Sequence, residues 1–222
     1  MRAKEVENME APHIATDEHV FIAGQTGTGK SLIAEIYLAG YDYVVKLDTK
    51  GEYYERKKKK EPIWRGLTEN KDYTVIFHLK DVDQVKTPKI IYVPSFDEQT
   101  QEYYNALMKW VYERENTILW IDELMSIADN HIKYPLYLKA LMTRGRSKNA
   151  AVWALTQRPS DIPSIVLANS SRYFVFTMQL PQDRKKIADA TGIPDFLEQP
   201  KGHNFWYFKV GNDHAVKARL KL

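Results

Sequence analysis

The chain has 222 residues, 44% of them apolar and 27% charged, a balance that predicts one soluble globular domain and excludes a disordered or fibrous protein. It contains no cysteine, which excludes disulfides and thiolate-ligated metals, and its six histidines (13, 19, 78, 131, 203 and 214) show no metal-ligand spacing. The formal net charge of +3 is too small to indicate a nucleic-acid partner, so any such contact has to be a local patch. Met1 to Glu7 has no signal-peptide core and no apolar run reaches membrane-spanning length, so a reducing, aqueous compartment is expected.

Residues 1–17 are polar and aperiodic and are expected to form an arm before a single domain over 18–222. Glu18 to Ala23 reads as a short buried strand. It runs into Gly24-Gln25-Thr26-Gly27-Thr28-Gly29-Lys30-Ser31, which meets the phosphate-loop pattern G-x-x-x-x-G-K-[ST] at every fixed position. Glycines let the backbone fold around an anion with its N–H groups pointing inward. Lys30 adds a charge for the β- and γ-phosphates, and the Ser31 hydroxyl can ligand Mg²⁺. Leu32, Ile33, Ile36 and Tyr37 then fall at helical spacing and Gly40 is a natural stop, so the helix aims its positive end at the same phosphates. Gly24, Thr26, Gly27, Thr28, Gly29, Lys30 and Ser31 are the candidate ATP-binding residues.

Tyr41 to Leu47 is a second strand, ending at Asp48-Thr49-Lys50-Gly51-Glu52. The carboxyl ends of strands are where open α/β sheets hold ligands, so Asp48 is either at the site's edge or a turn aspartate, and spacing alone favours the turn. Glu55 to Glu61 is a charge run read as a linker, in which Lys57, Lys58, Lys59 and Lys60 are either solvated or contacts to a phosphate backbone. Strands are expected over 73–79 and 89–94. Ser95 and Glu98 form a capping-box pattern opening a helix whose Tyr104, Leu107, Met108 and Val111 make a core stripe. The apolar run Thr117 to Ile121 is a buried parallel strand that delivers Asp122 and Glu123 to the sheet's carboxyl edge. Behind a phosphate loop these carboxylates are expected to support Mg²⁺ (Asp122) and to orient and deprotonate the attacking water (Glu123).

A helix is expected over 135–144, and Ala150 to Thr156 is another buried strand, ending at Gln157. Gln157 either reaches a γ-phosphate or its water, or is a turn glutamine. Arg172 to Met178 is a strand, and Pro181 to about Gly192 a helix with a basic face of Arg184, Lys185 and Lys186. His203 to Val210 and His214 to Leu220 form a closing hairpin around Gly211-Asn212-Asp213, followed by a basic tail with Lys217, Arg219 and Lys221. The aromatic residues between His203 and Phe208 are candidates for contact with the base.

Gly145-Arg146, followed by a strand into Ala154-Leu155-Thr156-Gln157-Arg158-Pro159-Ser160-Asp161-Ile162-Pro163, resembles the FtsK–HerA superfamily of DNA-pumping ATPases. Asp48-Thr49-Lys50-Gly51-Glu52 looks like the D-P-K-G-E stretch of HerA-type and conjugation-coupling ATPases, with Thr49 in place of the proline. Arg172 sits where FtsK-like sequences carry an arginine. The likeness runs from about residue 18 to 200. Size, and the lack of an added DNA-reading or barrel domain, look like the genome-packaging ATPases of membrane-containing, double-jelly-roll viruses.

The resemblance implies an α/β fold of RecA-like type with an additional strand and a catalytic glutamate: a mostly parallel central sheet flanked by helices, closed by a C-terminal β-hairpin. It implies ATP and Mg²⁺ as cofactors, Lys30 and Ser31 on phosphate and metal, Asp122 as metal support and Glu123 as base. Gln157 is implied as the sensor of γ-phosphate state. Arg146 is implied as an arginine finger serving the neighbouring subunit, with Arg144 as the alternative and a plain surface arginine as the bland reading. The strand bearing Gln157 should then lie between the phosphate-loop strand and the strand bearing Asp122. Implied partners are duplex DNA, further copies in a ring (usually a hexamer), a capsid or packaging-vertex protein, and a viral membrane protein. The implied location is host cytoplasm and the packaging vertex of the virion. The leading expectation is an ATP-driven translocase that packages a viral genome. Alternatives are a HerA-like or plasmid-mobilisation motor, or a nucleotide-gated assembly factor. A small-molecule kinase fits less well, because the Asp122-Glu123 pair argues for water as nucleophile.

Overall fold

The computed structural model describes residues 12–128, 130 and 132–220. The first part of the amino-terminal arm, His131 and Lys221 lie outside the described residues. The strands are β1 (Val20–Ala23), β2 (Val44–Leu47), β3 (Tyr73–Ile76), β4 (Lys89–Tyr92), β5 (Ile118–Ile121), β6 (Ala151–Thr156), β7 (Arg172–Val175), β8 (Asn204–Lys209) and β9 (Val216–Arg219). They form one sheet in the order β3-β4-β2-β5-β6-β1-β7-β8-β9. Every pairing from β3 to β7 is parallel, and β8 and β9 close the edge as an antiparallel hairpin. The expected additional strand is therefore present: β6 lies between β1 and β5.

Helices α1 (Lys30–Ala39), α2 (Glu52–Lys59), α3 (Gln101–Arg114), α4 (Leu136–Arg144), α5 (Ser164–Asn169) and α6 (Pro181–Thr191) cover the sheet. The central strands are buried on both faces, so they read as continuous apolar runs rather than alternating ones. Alternation survives in which core each residue enters. Val20 and Ile22 of β1 pack with Ile33, Ala34 and Leu38 of α1. Phe21 and Ala23 point to the other face, toward α3 to α6. The stripe Tyr104, Leu107, Met108 and Val111 of α3 is core, as expected.

Three local expectations are corrected. Ser95 and Glu98 make no capping box: Ser95 precedes a short 3-10 turn with no side-chain cap, and α3 starts later, where the Thr100 hydroxyl accepts the Tyr103 N–H. Glu98 instead turns inward, accepting hydrogen bonds from the Tyr92 hydroxyl at 2.6 Å and the Leu79 N–H at 2.9 Å. The charge run is not a linker but most of α2. Glutamates at its start and lysines at its end complement the helix dipole, which helps so polar a segment to be helical. Of residues 12–17, Ile14 is not on the surface but enters the core, its carbonyl accepting the Tyr41 hydroxyl at 2.6 Å.

Arg56 explains why α2 docks. Its guanidinium forks onto the buried Glu35 carboxylate of α1 (3.0 and 2.7 Å) and also donates to Glu52. Glu35 further accepts the Arg65 N–H, and its carbonyl accepts the Trp64 indole. A buried pair of this kind is costly to break, because the survivor is left charged and desolvated. Glu35→Ala should lower stability by about 3–5 kcal/mol, a fall in Tm of roughly 10 °C in a chain of this size, measured by thermal unfolding. A fall of only one or two degrees would show that the Arg56 clamp does not hold α2 to α1.

Candidate nucleotide site

The phosphate loop follows β1 at the carboxyl edge of the sheet. Its shape requires glycine at two places. At Gly29, φ is +108°, and a Cβ would lie 2.6 Å from Leu220. At Gly24 a Cβ would lie 2.6 Å from the Phe176 Cβ, so the loop can lie against the end of β7 only without a side chain. Thr28 Oγ1 donates to the Gln25 carbonyl at 2.8 Å, and Lys30 Nζ donates to the same carbonyl at 2.9 Å. The buried Lys30 ammonium is pushed down to about 8, by burial first and then by the Lys50 charge, with Glu123 opposing. A cation strained in this way gains from an incoming anion.

β5 delivers Asp122 and Glu123 to the same edge, both buried. Asp122 Oδ1 accepts from the Thr49 N–H at 3.1 Å and from the Thr49 hydroxyl at 3.0 Å. The departure from the D-P-K-G-E pattern therefore has a consequence: a proline there could supply neither donor. Asp122 Oδ2 is buried and has no partner among the described residues. Asp48 is both things that the sequence left open. Its carboxylate caps the start of α2, accepting from the Glu52 and Tyr53 N–H groups at 2.9 and 2.7 Å, and its charge bears on Asp122. Burial, and then Asp48, push the Asp122 carboxyl up to about 7, against the pull of Lys46, Lys50 and the Thr49 N–H.

Gln157, at the end of β6, joins the two halves. Its Oε1 accepts the Thr26 hydroxyl at 3.0 Å. Its N–H and Nε2 each lie 3.3 Å from a Glu123 carboxylate oxygen. The turn-glutamine reading does not describe this: the side chain bridges the phosphate loop and the acid pair. The open space here is about 490 Å³, within the range of nucleotide-sized pockets, and Lys30, Ser31, Lys50, Gln157 and His203 are among its lining residues. Of the aromatic stretch after residue 202, His203 reaches this cavity, while Phe205, Trp206, Tyr207 and Phe208 are spent in the sheet's cores.

Lys50, part of the D-P-K-G-E-like stretch but given no role of its own there, also belongs to the site. Its Nζ lies 3.1 Å from Glu123 Oε2 and donates to the Asp122 carbonyl at 3.0 Å. Its place at the carboxyl end of β2 was the available signal.

The arginines are elsewhere. Arg146 lies in a short 3-10 turn that precedes β6, so the length of β6, roughly 20 Å at 3.3 Å per residue, separates it from Gln157. It is 65% exposed and its only ion pair among the described residues is a loose one, 3.7 Å from Asp17. Arg144, at the end of α4, is exposed on the same edge. Neither reaches this chain's own phosphate loop. Arg172 is buried, forked onto Glu18 and bonded to the Tyr207 hydroxyl, which is a structural role. In α2, Lys57 pairs with Glu69, while Lys58, Lys59 and Lys60 are exposed.

No protein-family model matches the chain, and no curated protein matches it in sequence. Solved structures do match its fold. The genome-packaging NTPase B204 of Sulfolobus turreted icosahedral virus 2, in complex with ATP-gammaS, superposes with a TM-score of 0.73 at 15% identity, covering 94% of this chain and 100% of that one. B204 of Sulfolobus turreted icosahedral virus, a DNA-packaging ATPase, gives 0.70 at 18% identity over 93% and 98%. The pCW3 conjugation coupling protein TcpA gives 0.56 at 16% identity over 91% of this chain and 60% of that one. The chain thus shares its fold with these ATPases. Among them, the virus genome-packaging ATPases named above are matched along almost their whole length.

The raised Asp122 carboxyl carries a stability prediction. Between the ordinary carboxylate pKa, 3.8, and about 7, the folded state holds a proton that the unfolded state has lost. Stability therefore falls as pH rises through that window, and the deficit persists above it. Asp122→Asn removes the deficit. It should raise stability by about 1–3 kcal/mol at pH 8, with the gain fading toward pH 4, measured by denaturant unfolding across pH. A gain that is the same at every pH would overturn the assignment.

Proposed function

We propose that this chain is an ATP-hydrolysing motor that moves duplex DNA through a ring of its own copies and packages a viral genome into a preformed capsid. The observation that carries this reading is Gln157. A side chain on an inserted strand touches both the phosphate loop (Thr26) and the acid that activates water (Glu123). That linkage lets the state of the terminal phosphate be felt by the rest of the domain, which a motor needs and a simple kinase does not. The full-length match to the packaging ATPases supports the job of packaging in particular. The shorter match to TcpA keeps a conjugation or HerA-like DNA pump as the second reading.

In this reading Gly24, Thr26, Gly27, Thr28, Gly29, Lys30 and Ser31 hold the ATP phosphates. Glu123 takes the proton of the attacking water as its oxygen bonds to the γ-phosphorus. The bond from that phosphorus to the bridging oxygen breaks, and its electron pair leaves with ADP. Mg²⁺ fits the residues present: Asp122 has a buried, unpartnered oxygen and Ser31 a hydroxyl on the same edge. No group of three His, Cys, Asp or Glu forms a cage among the described residues, which suits an ion held by one carboxylate plus substrate phosphates. Bound there, Mg²⁺ would neutralise charge on the β- and γ-phosphates. Arg146 stands on the edge opposite its own phosphate loop, so it is suited to reach a neighbour's site in a ring, usually a hexamer, with Arg144 as the alternative. Lys58, Lys59 and Lys60, with Lys57, are the DNA-contact candidates, acting on phosphates without reading bases. A capsid or packaging-vertex protein and a viral membrane protein complete the expected partners, in host cytoplasm and at the virion vertex. A nucleotide-gated assembly factor predicts instead that Glu123→Gln leaves function intact.

ATP turnover per subunit should rise with protein concentration, rise again with long duplex DNA, and fall about 10³–10⁵-fold in Arg146→Ala. Mixing Arg146→Ala with Lys30→Ala subunits should restore part of the activity, because each repairs the other across an interface. A concentration-independent rate that Arg146→Ala leaves unchanged would remove the finger and weaken the ring. For DNA, changing Lys58, Lys59 and Lys60 to Gln should reduce DNA stimulation and flatten its salt dependence. Unchanged stimulation with an unchanged salt slope would remove these lysines from the DNA path.

A further inference from the structure

Three lysines lie at the acid cluster or the phosphate loop, and two have settled partners. Lys46 is buried against Glu52 and over the Trp120 ring. Lys30 sits on the Gln25 carbonyl, where the phosphate-loop motif puts it. Lys50 differs. It bonds Glu123 and the Asp122 carbonyl on one side, it lines the nucleotide cavity on the other, and its side chain is 34% exposed. It is free to swing in a way that Lys46 is not. Lys30 lines the same cavity, so the cavity faces two cations. An anion between them relieves their repulsion.

We propose that Lys50 is a catalytic cation that passes from Glu123 to the terminal phosphate when ATP binds, so that the substrate itself frees the base. This rests on the ATPase reading above and deepens it. Lys50 and Gln157 Nε2 both hold the same oxygen, Glu123 Oε2. A γ-phosphate carries more charge than a carboxylate and is a stronger acceptor for an ammonium. Once Lys50 turns to it, Glu123 Oε2 loses its cation and is open to the attacking water. The lysine keeps its proton throughout: the water proton goes to Glu123, and the electron pair of the broken bond leaves with ADP. Afterwards ADP lacks the terminal phosphate, and Lys50 returns to Glu123. The ATP and ADP states then differ in the partner of Glu123. Because Gln157 shares that carboxylate, the difference is passed to β6 and, through the Thr26 hydroxyl, back to the phosphate loop.

The test is nucleotide affinity, measured by calorimetry with ATPγS and with ADP in the presence of magnesium. Lys50→Met keeps the stem and removes the charge. It should weaken ATPγS by about 10–100-fold, the worth of a hydrogen bond to a charged group, and ADP by less than about threefold. Glu123→Gln removes the competitor for Lys50 and should tighten ATPγS several-fold. That gain should vanish in the double variant Lys50→Met/Glu123→Gln. Equal losses for the two nucleotides, or a Glu123→Gln gain that survives without Lys50, would overturn the proposal and leave Lys50 a positioning residue for Glu123. Should Lys50→Met not fold, Lys50→Arg keeps the charge and should retain most of the preference for ATPγS over ADP; losing that preference supports Lys50 contact no better than Met would and overturns it. A wild-type chain that binds neither nucleotide would instead sink the ATPase reading itself, a failure distinct from a lost preference.

Discussion

In a parallel sheet, the carboxyl end of a strand has two neighbours within side-chain reach, about 4.8 Å to either side. β6 occupies the place between β1 and β5, so the residue at its end has the phosphate loop on one side and the acid pair on the other. Gln157 is that residue, and it is bonded in both directions. Were β1 and β5 adjacent, as in a simpler nucleotide-binding sheet, the loop and the acids would touch directly and nothing between them could report on either. The rest of the site depends on this spacing, because the gap it opens is where Lys50 and Lys30 face the cavity.

The site is also an exercise in keeping buried charge tolerable. Asp48, Asp122 and Glu123 stand together on one edge, all largely out of water. Each is answered differently. Asp48 spends its charge on the two N–H groups that begin α2, where the helix dipole favours an anion. Glu123 has Lys50 and Gln157. Asp122 is left half satisfied, with Thr49 on one oxygen and no partner for the other among the described residues. That residual cost is what a bound cation would remove, and it is the physical reason for a raised carboxyl at a position with two nearby lysines.

The two edges of the sheet have separate duties. The carboxyl edge holds the phosphate loop, Lys50, the two acids and Gln157. The amino edge carries Arg144 and Arg146 in the open, and Arg172 locked inside. Only an arginine that is exposed and weakly paired can be lent to another molecule, and Arg146 satisfies both conditions. Likewise the four consecutive lysines of α2 are not equivalent, since Lys57 is engaged with Glu69 and the Tyr53 ring while the next three face solvent.

Motifs whose contacts close within a few residues were legible in the chain itself. The phosphate loop is one, because glycine spacing, the lysine and the following helix belong to one short segment. The apolar runs that end in Asp122-Glu123 and in Gln157 are others, as is the hairpin turn at Gly211. By itself, the sequence determined an α/β sheet with a phosphate loop and acids at its carboxyl edge. The resemblance carried by Ala154 to Pro163 added the order of the central strands. Tertiary structure decided whatever depends on partners far along the chain. Lys50 meets Asp122 across 72 residues of sequence, and Arg56 meets Glu35 across a helix pair. Ser95 and Glu98 fit a cap by spacing, yet Glu98 is drawn to Tyr92 and Leu79 instead. A charged side chain takes the best-placed partner in space, and spacing along the chain ranks such partners only when they lie within one turn of helix or one bend.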